Sequence, residues 1–97
     1  MLVKLKQVSE LLKIIANENR LAIIYNLIEK PMDVSELYEK LNHMPEAALA
    51  QELGILKMNK ILDSYKTEQS ITYFIVDKRL IDVVETIYNN YVEYTQE

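Results

Sequence analysis

The chain is predicted to be one mainly α-helical domain carrying a small β-hairpin, and three observations predict it. Its 97 residues include one Gly and two Pro, which removes most tight turns. Apolar residues recur at helical spacing in five stretches. A short late stretch, Ile71 to Val76, alternates at a period of two instead. This length buries one modest core and no more. With 49% hydrophobic and 27% charged residues, disorder is not expected.

Each element has its own signal. Met1, Leu5, Val8, Leu12 and Ile15 follow a four-three alternation, and Leu11 and Ile14 add a second stripe. A helix over 1–16 with an apolar surface that wide has more than one neighbour to cover. Asn17 is a suitable N-cap for a second helix, 18–29, whose inner face is Leu21, Ile24, Leu27 and Ile28 before Pro31 stops it. Asp33-Val34-Ser35-Glu36 reads as a capping box opening a third helix, 34–41, with Val34, Leu37 and Tyr38 inward. Leu41-Asn42-His43 is a tight turn, and Asn42 is the residue best suited there to a left-handed backbone.

Pro45 opens a fourth helix where a missing N–H costs least, and the helix runs to Met58 along the stripe Leu49, Leu53, Leu56. Gly54 inside it costs about 1 kcal/mol relative to Ala. After Asn59 the period changes. Ile61-Leu62 begins one strand, and Ile71, Tyr73 and Ile75 alternate with Thr72, Phe74 and Val76 in a second. The tip between them, 66–70, has neither Gly nor Pro and is not a two-residue hairpin. Asp77 caps a last long helix from Lys78 to about Tyr94, with Leu80, Val84, Ile87, Tyr91 and Tyr94 on one line flanked by Ile81, Tyr88 and Val92. The predicted order is ααααββα.

Composition excludes much chemistry. Without Cys there is no disulfide, zinc finger, iron–sulfur cluster or thiol sensor. His43 is the only histidine, so no multi-histidine metal site forms within one chain. No Gly-rich phosphate loop, nucleophile elbow or oriented acid–base pair is present, so no enzyme, cofactor or metal is expected. No apolar run approaches about 18 residues, and lysines interrupt the N-terminal stretch. A cytoplasmic protein with no membrane contact is the expectation. The net charge of −4 argues mildly against nonspecific nucleic-acid binding, although local charge decides groove binding.

A short third helix, a tight turn, a fourth helix and a hairpin make the winged helix-turn-helix plan. At Ala16-Asn17-Glu18-Asn19-Arg20-Leu21-Ala22-Ile23 the chain resembles the ArsR/SmtB family of bacterial winged-helix repressors. The resemblance continues through Asp33-Val34-Ser35-Glu36-Leu37, Leu41, Leu53, Leu56 and Ile61-Leu62 to Ile71-Thr72-Tyr73-Phe74-Ile75, covering about Leu11 to Ile87. It implies a single domain, 1–97, with dimerisation helices at 1–16 and 78–95, a helix-turn-helix at 33–58 and a wing at 60–76. It also implies a homodimer whose fourth helices enter the major groove of a double-stranded DNA operator, with the wings on flanking backbone.

The residues themselves favour that dimer. Both terminal helices carry two apolar stripes that a monomer of this size does not easily bury, and large exposed apolar patches rarely persist on monomers. Leu5, Val8, Leu12, Leu80, Val84, Ile87, Tyr88 and Tyr91 are the candidate interface. The helical spacing of Tyr88, Tyr91 and Tyr94 reads as core or seam, not as base stacking.

Two departures from the family matter. Where metal-sensing members carry Cys in the third helix, Asp33, Val34 and Ser35 stand here; the last helix offers Asp82 and Glu85 with no His. No metal sensor is expected. In the fourth helix the cap position falls on Met44, and the candidate groove face is Glu46, Ala47, Ala50, Gln51 and Gly54. Gln51 suits an adenine edge and Ala47 or Ala50 a thymine methyl, against the plainer reading of a solvated face. Lys57 and Lys66 are candidate phosphate contacts, and His43 either touches a phosphate or caps a helix end, the second being favoured. Arg20 either reaches the duplex or pairs with an acid inside the fold.

From His43 to Val76, Lys57, Lys60 and Lys66 face Glu46, Glu52, Asp63 and Glu68. That balance predicts weak DNA binding or a shallow salt slope. The leading reading is a dimeric, non-enzymatic repressor. The alternative is an interaction module whose acidic fourth helix engages a basic protein partner.

Overall fold

The computed structural model describes residues 2–95, with side chains described from Lys4 to Val92; Met1 and the Tyr94 side chain, both part of the expected stripes, lie outside these limits. The elements in chain order are α1 (Leu2–Ile15), α2 (Glu18–Glu29), β1 (Met32–Asp33), α3 (Val34–Lys40), α4 (Glu46–Met58), β2 (Leu62–Lys66), β3 (Ile71–Ile75) and α5 (Arg79–Thr95). All five expected helices and both hairpin strands are present.

Local chemistry explains the boundaries. Asn17 Oδ1 accepts from the Arg20 N–H at 3.0 Å, starting α2. At α3 the capping box is reciprocal: Asp33 Oδ1 accepts from the Glu36 N–H at 2.8 Å, and Glu36 Oε1 accepts from the Asp33 N–H at 3.2 Å. Pro45, not Met44, occupies the cap position of α4 and makes no side-chain cap bond, while Met44 is buried in the core. An apolar side chain there serves packing better than capping.

The left-handed residue is Lys60, at φ 63°, and not Asn42. Its N–H donates to the Lys57 carbonyl and the Ile61 N–H to the Leu56 carbonyl, each at 3.0 Å, which closes α4 with a Schellman motif. Met44 N–H donating to the Leu41 carbonyl at 3.0 Å closes the earlier turn without that conformation.

The strand missing from the predicted order is β1. It pairs antiparallel with β3, Met32 opposite Tyr73 and Asp33 opposite Thr72, so the sheet order is β1-β3-β2. Two residues carry no detectable period, and Asp33 serves both as strand end and as helix cap. In the wing, Lys66 is the end of β2 opposite Ile71, and the tip closes where Thr67 N–H donates to the Ser70 carbonyl at 2.8 Å.

The core gathers Ile15, Ile23, Ile24 and Leu27 around Leu37, Leu49, Leu53 and Leu56, with Leu62 and Ile75 from the sheet and Leu80 from α5. Each fully buried side chain of this kind contributes about 1.5–3 kcal/mol. On α2 the buried arc includes Ile23, whereas Leu21, expected inside, is exposed. Contacts with α1, α4, α5 and β3 surround α2 and turn its inner face by about one residue.

Candidate nucleic-acid interface and dimer seam

Three buried leucines anchor α4, at positions 49, 53 and 56. The 3.6-residue period then places Ala47, Gln51, Gly54 and Met58 along the centre of the opposite face, with Ala50 beside them. All five are exposed. The face runs about 16 Å along the helix axis. Its side chains are short except at Gln51 and Met58, and a Cβ added at Gly54 would meet nothing within 4 Å. Such a face can seat close against a flat or grooved partner. Met58, 81% exposed, was not among the candidates because the helical pattern ends there; its spacing four residues past Gly54 and seven past Gln51 was the available signal.

The charges are arranged differently from the sequence count. Glu52 does not point outward: its Oε1 accepts from Arg20 Nε at 2.8 Å. Arg20 therefore pairs inside the fold. Setting Glu52 aside leaves Lys57, Lys60 and Lys66 against Glu46, Asp63 and Glu68, a neutral balance where a net acidic one was expected. Lys57 Nζ donates to Ser64 Oγ at 2.7 Å, tying the end of α4 to β2. Lys66 is exposed on the wing. His43 is exposed in the turn before α4 and makes no hydrogen bond among the described residues, so it caps none of the described helix ends.

The terminal helices divide into a buried part and an open part. Leu80 and Val84, placed by the sequence at the dimer interface, are instead packed inside the protomer, because the first two turns of α5 lie over the core. Leu5, Val8 and Leu12 on α1 and Ile87, Tyr88 and Tyr91 on α5 remain exposed. Between the end of α1, α2 and α5 runs an apolar groove of about 570 Å³ lined by Leu12, Ala16, Leu21, Tyr25, Tyr88 and Tyr91, among others. Tyr25 was missed and Leu21 misplaced because periodicity reports apolar faces without saying which neighbour covers them. Desolvation, then the hydrogen bond with Tyr88, holds the Tyr25 hydroxyl above its ordinary pKa.

Among the described residues no group of three His, Asp or Glu is placed to hold a metal ion, and no helix is long and apolar enough to cross a membrane.

No family model matches the chain. Over 86 residues it is 29% identical to the transcriptional activator HlyU of Vibrio cholerae, spanning 89% of this chain and 79% of that protein. Over 82 residues it is 29% identical to the biofilm growth-associated repressor of Agrobacterium fabrum, spanning 84% of this chain and 69% of the relative. The solved structure of HlyU from Vibrio cholerae superposes with a TM-score of 0.85 at 27% identity, covering 94% of this chain and 98% of that one. The AntR antimony-specific transcriptional repressor superposes with a TM-score of 0.87 at 25% identity, covering 98% of this chain and 86% of that one.

Proposed function

We propose that the chain is a winged helix-turn-helix transcriptional regulator of the ArsR/SmtB type, acting in the cytoplasm as a homodimer that occupies a two-fold-related operator and represses the promoter it covers; its likeness in sequence and fold to HlyU and to AntR supports this reading. The observation that carries this reading is the outer face of α4, which is exposed, short in its side chains and free of Glu52. Two such helices related by a dyad present themselves to successive major-groove turns. Gln51 pairs with an adenine edge, and Ala47 and Ala50 meet thymine methyls. Lys57, Lys66 and His43 take backbone phosphates, Lys57 by leaving or sharing Ser64 Oγ.

In this reading the seam is built from Leu5, Val8 and Leu12 of one protomer lying along the partner's groove, with Ile87, Tyr88 and Tyr91 around it. A two-fold interface uses the same surface of the chain twice, and here both the exposed stripe and the groove are apolar. No metal or cofactor takes part.

The test is fluorescence anisotropy of the purified protein on its own promoter region at low and moderate salt. A preferred site whose affinity falls with salt is expected, and no site preference at either salt overturns the reading. Gln51→Ala should cost about 1–3 kcal/mol at one base pair and nothing at the others. The alternative, a module binding a basic protein through an acidic α4, keeps only Glu46 of its two α4 carboxylates. Stoichiometric capture of one partner, lost on Glu46→Gln, is the result that would favour it.

A further inference from the structure

Arg20 joins three elements at one point. Its backbone N–H is capped by Asn17 Oδ1, its Nη1 donates to the Ile14 carbonyl at 2.9 Å, and its Nε donates to Glu52 at 2.8 Å. The Ile14 carbonyl is one of the last four of α1, which have no donor within the helix, and a guanidinium also complements that negative helix end. The Arg20 and Glu52 side chains are only 20% and 16% exposed, so their attraction is less screened than that of a surface pair.

The rest of what holds α4 is poorly directional. Leu49, Leu53 and Leu56 bury an apolar stripe that tolerates small rotations, the N-terminus lacks a side-chain cap, and the Lys57–Ser64 bond sits exposed at the far end. Glu52 lies on the flank of the helix between the buried stripe and the outer face. On the other side, Ile15 and Ala16 at the end of α1 and Leu21 and Ala22 just after Arg20 line the apolar groove.

We propose that the Arg20–Glu52 pair is a latch that sets the pose of the reading helix on the α1–α2 junction, making Glu52 a positioning residue for operator binding and not a groove-facing acid. This rests on the functional reading above. The two roles of Glu52 give opposite signs. An outward acid repels phosphates, so neutralising it tightens binding to any duplex, most at low salt. A latch holds α4 at the angle that specific readout needs, so neutralising it weakens the operator complex and leaves nonspecific binding alone.

Glu52→Gln in the full chain keeps the volume and the hydrogen-bonding capacity while removing the charge. Against a duplex selected by the wild type, its affinity should fall about tenfold, the scale of one coupling link. Affinity for an unrelated duplex and the salt slope should stay unchanged. Arg20→Lys, whose single amine cannot reproduce the two-armed contact with Ile14 and Glu52, should show the same selective loss. A rise on both duplexes, an equal fall on both tracking a lower melting temperature, or no change overturns the latch. A wild type with no site preference sinks the functional reading instead. The latch is then decided by hydrogen exchange, which Glu52→Gln should speed about tenfold in α4 but not in α5; equal exchange in wild type and variant overturns it.

Discussion

Tyr25 of α2 and Tyr88 of α5 stack with ring centroids 4.3 Å apart and planes tilted by 36°. Pairs of this geometry contribute about 0.5–1.5 kcal/mol beyond the area they bury. The contact joins α2 to the middle of α5, just past the turns that bury Leu80 and Val84 in the core. Beside that contact, Ile87 is 60% exposed and Tyr91 70%. A buried stem followed by exposed apolar side chains is the arrangement expected of an assembly surface.

That division gives the first expectation. Val8→Glu and Ile87→Glu should leave the fold intact and convert the proposed dimer to monomer in sedimentation equilibrium. Leu80→Ala should cost about 2–5 kcal/mol of stability in denaturant titration, because it opens a cavity in the protomer core. If Ile87→Glu remained dimeric at micromolar concentration, the seam would lie elsewhere.

Lys60 closes α4 at φ 63°, a conformation that costs a side chain roughly 1–2 kcal/mol and a glycine almost nothing. Lys60→Gly should therefore raise stability by about 0.5–1 kcal/mol after the added entropy of the unfolded chain is counted. The urea midpoint should rise at unchanged slope. A loss of stability would show that the lysine side chain contributes more than its backbone costs.

Gly54 presents the reverse case. A methyl there meets nothing within 4 Å, so Gly54→Ala should stabilise α4 by about 1 kcal/mol. If the outer face seats against a duplex, the same methyl intrudes, and operator affinity should fall while the melting temperature rises. Affinity that rose along with stability would remove Gly54 from the contact face.

Asp77 governs the acid limb. The hydrogen bond from Arg79 is the largest cause holding its carboxyl below the ordinary 3.8. Its stabilising share is fully present above that ordinary value and is lost as pH falls through the lower folded value. Asp77→Asn should flatten the stability profile below about pH 4. It should also weaken the start of α5, where Asp77 Oδ1 accepts from the Arg79 N–H at 3.2 Å. Melts across that range check both effects.

Tyr25 gives the opposite limb. Its raised pKa favours the neutral hydroxyl in the fold, so its share is present below pH 10 and lost as pH climbs through the folded value. Phenolate absorbance of Tyr25→Phe should lack one late-titrating group.

Features written within a turn or two of chain were legible from the residues alone: the Asn17 cap, the Asp33–Glu36 box, the leucine stripe of α4 and the alternation of β3. Those features depend on partners three or four residues away or on a strict period, and all of them stand in the structure. Long-range packing was needed to turn Glu52 to Arg20 thirty-two residues back, to form β1 where Met32 finds Tyr73, and to send Leu80 and Val84 inward while Leu21 and Tyr25 open onto a groove. An apolar stripe says that something covers it; which surface does so is settled by contacts between segments tens of residues apart, and no local period records them.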